Sequence, residues 1–504
     1  MKKRLCKPFY FLFIHLIYLS GSSQSSTPKF IKNEIDSYIE KGIKDWNVPG
    51  LAIVIVQNDK IIKLKGYGFA DKKKNIKVDI NTLFPLASIS KHITSSALLK
   101  ELDKKNISLD SSISKYIQSD KFSTHLNLKS ISFKNLLSHR LGYKERQGDF
   151  LIFHNSFSSK EIIEKAWSMK PIYHRTKTYG YHNAGYIAAG EILKKISDES
   201  YHTNLKENLF SPLEMNNTYT HYNTFQSVTN KATPYIKQDD TIKETKHYNL
   251  EKLVASGGIY SSINDMSKWI RMFLNNGKQD GLSILDPKLI TFMKTPLANT
   301  RPGNHPFNVV SGIKYGLGLQ IQEYENNEIV FHSGSLPGII TNLFLIPEKK
   351  IGVLILCNKG YSSFPKILKR EILDAYLNLP YRNYNNYYKT KTIHALKKKK
   401  QRYIPFSTEQ MNDLEGIYFN ELIGELTIGK KKNDLIANFK NYNYSNSKII
   451  LKEGNSIEIK CILDSRTVFV GEINLLKKSD RFKISITFGK SDRNKYIFTK
   501  KSSN

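Results

Sequence analysis

The sequence predicts an α+β fold: an antiparallel sheet flanked by helices, with an all-helical middle, followed by a small C-terminal all-β barrel or sandwich. Strand patterns occur at both ends of residues 26–385, and helical spacing fills the stretch between them. From residue 406 onward, short strand patterns recur and are separated by turn residues. Because apolar periodicity is the main signal of secondary structure in a sequence, these patterns predict two domains.

The first 25 residues have the order of a secretory signal. A head with four Lys or Arg residues precedes an apolar run from Phe9 to Leu19, and the small residues Ser20–Ser23 follow. The run is shorter than the ~20 residues that a membrane-spanning helix needs. We therefore expect export to the periplasm or the extracellular space, with an uncleaved membrane anchor as the alternative.

The chain is strongly basic: its 504 residues include 77 Lys and Arg against 45 Asp and Glu, a formal charge of +32. Such an excess favours contact with a polyanion, although lysines also serve simply as solvated surface. Export argues against genomic nucleic acid, so the expected partners are a small-molecule or peptide substrate and an anionic cell-envelope surface. The composition excludes collagen-like, coiled-coil and wholly disordered proteins. It leaves open the oligomeric state and whether Cys357 pairs with Cys461.

Each element of the first domain follows from its local pattern. Strands are predicted at Leu51–Val56, Ile61–Gly66, Ile329–His332, Ile339–Ile346 and Ile351–Cys357, and helices at Phe30–Trp46, Ile89–Leu102, Phe133–Ser138, Ser159–Ser168, Ala184–Lys195 and Ile263–Asn275. Since the strands come from both ends of the domain, we expect both ends to contribute to one sheet, with the helices packed on it.

A change of composition near residue 381 separates the two domains. From Asn386 to Pro405 there are seven Lys or Arg residues and no acidic residue. We interpret residues 386–405 as a basic linker, with a patch for nucleic acid or lipid as the alternative. Within the β-domain, residues 406–504, strands are predicted at Leu414–Phe419, Gly424–Ile428, Leu435–Phe439, Ile457–Ile462, Thr467–Ile473, Phe482–Phe488 and Tyr496–Phe498.

The strongest chemical signal is Ser88-Ile-Ser-Lys91, at the start of a predicted helix. The spacing places the Lys91 amine on the same helix face as the Ser88 hydroxyl. Serine needs a base to act as a nucleophile, and lysine can be that base when burial and the helix N-terminus lower its pKa. The pattern alone also occurs by chance, and its structural interpretation is an N-cap serine beside a solvated lysine.

Two further stretches supply groups that such chemistry needs. In Tyr181-His-Asn183 the phenol can relay a proton, and the amide can hold a lysine or a substrate carbonyl. Alternation in an extended segment would point both side chains the same way. In His332-Ser-Gly334-Ser335, Gly334 would let a substrate lie close to a strand. Each stretch by itself also fits a structural role.

In order and context these stretches resemble the serine β-lactamase and penicillin-binding-protein superfamily, and more closely its class C-type serine hydrolase branch. The resemblance covers residues 31–379 and includes the blocks Val48–Val56, Gly66–Gly68, Leu136–Gly142, Ser256–Asp265 and Tyr315–Gly318. The C-terminal segment Leu414–Ile428 resembles the small lipocalin-like β-domains that are appended to such hydrolases. The resemblance implies the β-lactamase/DD-peptidase fold.

The resemblance also implies a role for each residue. Ser88 would be the acylated nucleophile, and Lys91 and Tyr181 would share general-base and general-acid duty. Asn183 would position Lys91 and the substrate. The backbone N–H groups of Ser88 and Ser335 would form the oxyanion hole. No metal or organic cofactor is implied.

Departures from the family pattern bear on the substrate. His332 stands where β-lactamases and many penicillin-binding proteins carry the lysine of Lys-Thr-Gly. A histidine is mostly neutral at pH 7 and attracts a substrate carboxylate less. Leu141 replaces a small serine, and Arg175-Thr176 replaces a Pro-Gly ahead of Tyr181.

We therefore expect an exported serine hydrolase that acts through an acyl-enzyme on an ester, an amide or a D-residue-containing peptide. One alternative is a catalytically silent protein that binds a cell-wall ligand or serves as a scaffold. Another alternative is a true β-lactamase.

Overall fold

The computed structural model describes residues 26–118, 126–152, 156–238, 241–396, 403–443, 447–452, 456–463, 466–476, 483–488 and 495–501. The predicted secretory signal and the lysine run at 397–400 lie outside these residues. Within the described ranges, every helix is too short or too polar to cross a membrane.

Helices occupy the middle of the first domain and cover its sheet. They are α1 (Ile35–Asp45), α2 (Ser90–Lys104), α3 (Phe133–Leu137), α4 (Ser159–Ser168), α5 (Asn183–Ser197), α6 (Tyr201–Leu205), α7 (Tyr222–Ser227), α8 (Val254–Gly257), α9 (Ile263–Leu274), α10 (Pro287–Lys294), α11 (Phe364–Tyr376), α12 (Tyr384–Leu396) and α13 (Thr408–Leu414). Helix α12 forms much of the predicted linker, and α13 lies at the start of the second domain. Short 3-10 turns at Ala87–Ile89 and Asp149–Leu151 also matter for the site.

The strands fall into the two domains. They are β1 (Gly50–Gln57), β2 (Lys60–Asp71), β3 (Ile76–Lys77), β4 (Phe84–Pro85), β5 (Tyr235–Gln238), β6 (Thr241–Glu244), β7 (Tyr260–Ser261), β8 (Lys278–Gln279), β9 (Leu282–Ser283), β10 (Ala298–Arg301), β11 (Ile313–Tyr315), β12 (Gln320–Tyr324), β13 (Asn327–Leu336), β14 (Ile339–Ile346), β15 (Ile351–Cys357), β16 (Tyr403–Ile404), β17 (Gly416–Asn420), β18 (Gly424–Lys431), β19 (Asp434–Phe439), β20 (Ser447–Lys452), β21 (Ile457–Leu463), β22 (Arg466–Leu476), β23 (Lys483–Phe488) and β24 (Lys495–Lys500).

A nine-stranded antiparallel sheet frames the first domain, in the order β10-β11-β12-β13-β14-β15-β1-β2-β3. Strands β1 and β15 pair from Leu51 opposite Cys357 to Gln57 opposite Ile351. This pairing joins the two ends of the domain, which confirms the predicted α+β fold and the sheet assembled from both ends. The helical middle also contains short strand pairs that the periodicity did not predict, such as β5 with β6.

The sheet is buried on both faces, which explains the unbroken apolar run of β1. Ala52 and Val54 belong to the core that includes residues of α2, α5 and α9, whereas Leu51 and Ile53 belong to the core with residues of α1 and α11. Side chains alternate between faces along a strand. The same alternation along β13 puts His332 on the α2 side of the sheet and Phe331 on the α11 side.

The second domain is a closed eight-stranded barrel, so the barrel alternative is confirmed over the sandwich. Strands β17 to β24 pair in chain order and β24 returns to β17, while β16 adds to β20. This up-and-down closure is the architecture of lipocalins. The pattern missed β20, and it assigned Leu414 to a strand although this residue ends α13, whose N-cap is Ser407. Cys357 and Cys461 are unpaired and buried, one in each domain.

The barrel packs against the first domain through aromatic rings. Tyr442 of the barrel stacks on Phe150 with 4.7 Å between ring centroids, and Phe439 meets Phe150 edge-on at 5.8 Å. Lys165 Nζ donates a hydrogen bond to the Leu422 carbonyl at 2.8 Å. Phe150 lies in the 3-10 turn that begins at Asp149, so the barrel packs against this turn.

Candidate active site

Ser88 lies in a tight turn between the sheet and α2, and its side chain is partly exposed. Ala87, immediately before it, has a φ of 51°, a left-handed conformation that a non-glycine residue adopts rarely and at a cost. A Cβ on Gly334 would lie 2.6 Å from the Leu86 carbonyl oxygen and 2.8 Å from the Ala87 Cβ. Gly334 therefore makes room for this turn, and the approach of a substrate to the same strand stays a prediction.

The Lys91 amine is completely buried one helical turn from Ser88. Its Nζ lies 2.8 Å from Asn183 Oδ1, 2.6 Å from the Ser256 carbonyl oxygen and 3.3 Å from Ser88 Oγ. Burial lowers the pKa of Lys91 from 10.5 to about 7. A neutral amine has two N–H bonds, which the two carbonyl oxygens can accept, so its lone pair is left for the Ser88 hydroxyl.

Tyr181 approaches Ser88 from another direction, with its hydroxyl 2.8 Å from Ser88 Oγ. Burial raises the pKa of Tyr181 above its usual value of 10.0, so the side chain is a neutral phenol at pH 7 and donates a hydrogen bond to Oγ. Asn183 is the first residue of α5 and turns its amide oxygen to Lys91. The two side chains converge as expected, although the extended backbone ends at His182.

His332 lies beneath the site, with only 2% of its surface exposed. Its Nδ1 donates to the Ser333 carbonyl at 2.8 Å, and its Nε2 accepts from the Tyr315 hydroxyl at 3.1 Å. Burial, reinforced by Lys91, lowers the pKa of His332 to about 3, so the ring is neutral. Protein groups engage both ring nitrogens, so the ring contacts the Tyr315 hydroxyl and the Ser333 backbone, and a role of His332 in substrate binding stays a prediction.

Ser335 is exposed near the end of β13, where it pairs with Ile340 of β14. It directly follows Gly334, which contacts the turn that carries Ser88. The backbone of Ser335 is thus brought next to the nucleophile turn, as an oxyanion hole shared with Ser88 would require.

Two charged residues that the sequence analysis missed complete the site. Asp149 accepts hydrogen bonds from Asn183 Nδ2 at 2.9 and 3.0 Å, one on each carboxylate oxygen. Arg146 lies 3.8 Å from the Asp149 carboxylate and 5.8 Å from the centroid of the Tyr181 ring. The negative charge of Asp149 raises the pKa of Lys91, and the positive charge of Arg146 lowers it, both by less than burial does.

His139 is a packing residue behind the catalytic groups. Its Nδ1 accepts the His182 backbone N–H at 3.1 Å. The centroid of the His139 ring lies 4.4–5.8 Å from the ring centroids of four tyrosines, namely Tyr179, Tyr181, Tyr186 and Tyr315. Burial lowers the pKa of His139 well below 6.5, so this ring adds no charge next to Lys91.

A group of potential metal ligands is formed by His202, His221 and Glu251, whose ligand atoms lie within 4.8 Å of one another. Hydrogen bonds connect this group to Thr220 and to the backbone of Tyr222. It does not hydrogen-bond to the residues around Ser88, so we do not include it in the site.

Known proteins resemble the chain in sequence and in fold. The family model of the β-lactamases matches residues 35–377. Protein flp of Staphylococcus aureus strain MW2 is 25% identical over 344 residues, 67% of this chain and 65% of that protein. The unguisins hydrolase ungD of Aspergillus violaceofuscus is 23% identical over 369 residues, 68% of this chain and 64% of that protein. The chain thus spans just under two thirds of the length of these curated relatives.

A solved structure supports the fold over more of the chain. The octameric penicillin-binding protein homologue from Pyrococcus abyssi superposes with a TM-score of 0.62 and 21% identity. The superposition covers 92% of this chain and 99% of that one. At this identity the likeness shows a shared fold.

Replacing Asp149 or Arg146 by a neutral residue should shift the pH profile of Ser88 acylation, and the two replacements should shift it in opposite directions. Acylation should rise with pH through about 7, because Lys91 becomes a base only when it loses its proton. Asp149→Asn removes a charge that raises the Lys91 pKa, so the rise should shift to lower pH. Arg146→Gln removes a charge that lowers it, so the rise should shift to higher pH.

The rate of labelling by a fluorophosphonate, measured from pH 5 to 10 on each variant, provides the profiles. Loss of stability alone would not shift the two variants in opposite senses. Profiles that move the same way, or not at all, would contradict the assignment of Lys91 as the titrating group.

Proposed function

We propose that this chain, which belongs to the β-lactamase family, is an exported serine hydrolase that works through an acyl-enzyme. The observation that carries the proposal is the convergence of three groups at one hydroxyl. The buried Lys91 amine and the Tyr181 phenol both lie within hydrogen-bond distance of Ser88 Oγ. Serine hydrolysis needs a base and an acid at this atom.

In the proposed first step, neutral Lys91 takes the proton of Ser88 while Oγ attacks the acyl carbonyl carbon. The backbone N–H groups of Ser88 and Ser335 would stabilise the resulting oxyanion, at about 3 kcal/mol for each donor. Tyr181 would give its proton to the leaving group as the tetrahedral intermediate collapses, and would recover a proton from the Lys91 ammonium. Water would then hydrolyse the acyl-enzyme with the same groups in reverse order.

The pKa shifts of Lys91 and Tyr181 support different catalytic roles for the two residues. Lys91, with its pKa lowered to about 7, is substantially unprotonated near neutral pH and is therefore suited to be the base. Tyr181, with its pKa raised by burial, keeps its proton at neutral pH and is therefore available to donate it to a strongly basic leaving group. We therefore propose Lys91 as the base and Tyr181 as the acid, where the family resemblance implied that the two residues share both duties.

The proposed substrates are neutral esters, amides or D-residue-containing peptides, in preference to β-lactams. A β-lactam carries a carboxylate, and the neutral His332 offers that carboxylate no charge. Arg146 is an exposed cation beside the site, with 47% of its side chain accessible. A substrate carboxylate would therefore be attracted more strongly by the partly solvated guanidinium of Arg146 than by the neutral His332 ring on β13.

The proposed export rests on the basic head, apolar run and small residues at the N-terminus. Sequencing the N-terminus of protein recovered outside the cytoplasm would distinguish a cleaved signal from a retained anchor.

Acylation should occur at Ser88 alone. After treatment with a fluorophosphonate, intact-mass analysis should find one adduct on the wild type and none on Ser88→Ala. Lys91→Arg keeps the positive charge but cannot act as a base, so acylation should fall by ~10²–10⁴. A folded wild type that never forms an adduct would favour a silent ligand-binding protein, and an adduct that persists in Ser88→Ala would refute the nucleophile.

Turnover should favour a neutral ester over a carboxylate-bearing lactam. At about pH 8, where Lys91 is mostly neutral, kcat/KM for p-nitrophenyl acetate should exceed that for nitrocefin. Arg146→Gln should lower the nitrocefin value relative to the ester value by about fivefold, as expected for a partly exposed ion pair of ~1 kcal/mol. Efficient nitrocefin turnover that Arg146→Gln leaves unchanged would indicate a true β-lactamase with a different carboxylate site.

A further inference from the structure

A cavity of about 520 Å³ opens on the face of the sheet opposite Ser88. Its walls come from strands β10 to β13, the loop at 302–310 and helices α11 and α12. Phe331 lines this cavity, while His332, the next residue of β13, lies beneath the Ser88 site. The volume is within the range of small-molecule sites, so the cavity can hold a small organic molecule.

The lining of this pocket is strongly cationic and contains no acidic side chain. The cations are Arg301, Lys366, Lys369, Arg370 and Lys391, with His305 beside them. Three of them share one face of α11, at spacings where like charges destabilise a helix. Among the described residues, no carboxylate forms an ion pair with any of the five.

The two acidic residues of α11 are held by neutral donors and form no ion pair with the pocket cations; the charge of Asp374 raises the pKa of Arg370, but by less than burial lowers it. Glu371 and Asp374 accept hydrogen bonds from Tyr38, Asn308, Tyr324 and Tyr384. The pocket cations instead face aromatic rings. Lys369 Nζ lies 3.9 Å from the centroid of Phe331, and Lys391 Nζ lies 4.6 Å from that of Tyr387.

Arg370 provides an independent sign of a missing partner. The residue is only 7% exposed, and its Nη1 is buried without a hydrogen-bond acceptor. A buried donor without an acceptor is costly, and in a folded protein it calls for a partner. Burial is the main cause that lowers the pKa of Lys369 to about 7, and the neighbouring charges of Arg370, Lys366 and Arg301 act in the same direction.

We propose that this pocket binds a small, multiply charged anion of the phosphate class, with Arg370 at its base and Lys366 and Lys391 at its rim. A guanidinium binds two phosphate oxygens through its planar fork, and lysines add point charges around it. A single carboxylate would leave most of the five cations without a counter-charge. The phosphate groups belong either to a soluble compound or to the headgroup of a lipid, and the proposal does not depend on acylation of Ser88.

Titration of the full chain with pyrophosphate, followed by calorimetry at about 0.15 M ionic strength, tests the proposal. We expect saturable binding that weakens about tenfold or more in the double variant Lys366→Ala/Lys391→Ala, because two charged contacts are lost. Both lysines are exposed, so the fold should be retained, and an unchanged far-UV circular-dichroism spectrum and melting temperature check this. Arg370→Lys keeps the charge but loses the fork, and it should also weaken binding.

The matched control is Lys60→Ala/Lys73→Ala, which removes the same charge from exposed positions outside the pocket. The proposal would be overturned if the wild type did not bind pyrophosphate, or if binding weakened equally in this control. It would also be overturned if sulfate bound as tightly as pyrophosphate.

Co-sedimentation with phosphatidylglycerol and phosphatidylcholine vesicles separates the two sources of phosphate. A lipid headgroup would be supported if the protein sediments with the anionic vesicles, if pyrophosphate releases it from them, and if the Lys366→Ala/Lys391→Ala variant does not sediment with them. Pyrophosphate binding without vesicle retention would support a soluble ligand.

Discussion

The burial of a single amine is the constraint on which this site depends. Lys91 can act as a base near neutral pH only because its Nζ is removed from water and contacts no carboxylate directly. Asn183 lies between Lys91 and Asp149: its oxygen faces the lysine and its amide nitrogen faces the carboxylate. The amide thus fixes the geometry of the lysine while keeping the negative charge one side chain away.

The framework around Lys91 holds this arrangement from both domains. The turn at Ala87 and the missing side chain at Gly334 bring the nucleophile against β13. On the other side, the turn that carries Asp149 continues into Phe150, which stacks on Tyr442 of the barrel. The described residues of the second domain place no side chain at Ser88, yet the domain packs directly behind the turn of the carboxylate that influences the Lys91 pKa.

Local sequence patterns were enough to predict most of the fold and the proximity of Ser88 and Lys91. They were not enough to predict the charged groups that shift the Lys91 pKa. The predicted bounds of β14 and β15 match the structure because uniform apolar runs between turn residues have one simple interpretation. The Ser88–Lys91 spacing likewise fixes a contact within one helical turn. Asp149 and Arg146 reach the site from a loop through tertiary packing, and no local spacing marks them. The role of His332 depends on Tyr315, a residue of another strand, so its buried position could not be derived from its own segment.

The protonation state of Lys91 decides whether it can activate Ser88, and NMR can measure this state directly. In protein labelled with ¹³C-lysine, the Lys91 ε-carbon signal can be assigned by its loss in Lys91→Arg and followed as a function of pH. We expect a titration midpoint of about 7, far below the ordinary 10.5. A midpoint near 10.5 would mean that Lys91 remains an ammonium at neutral pH, and the base that activates Ser88 would have to be another group.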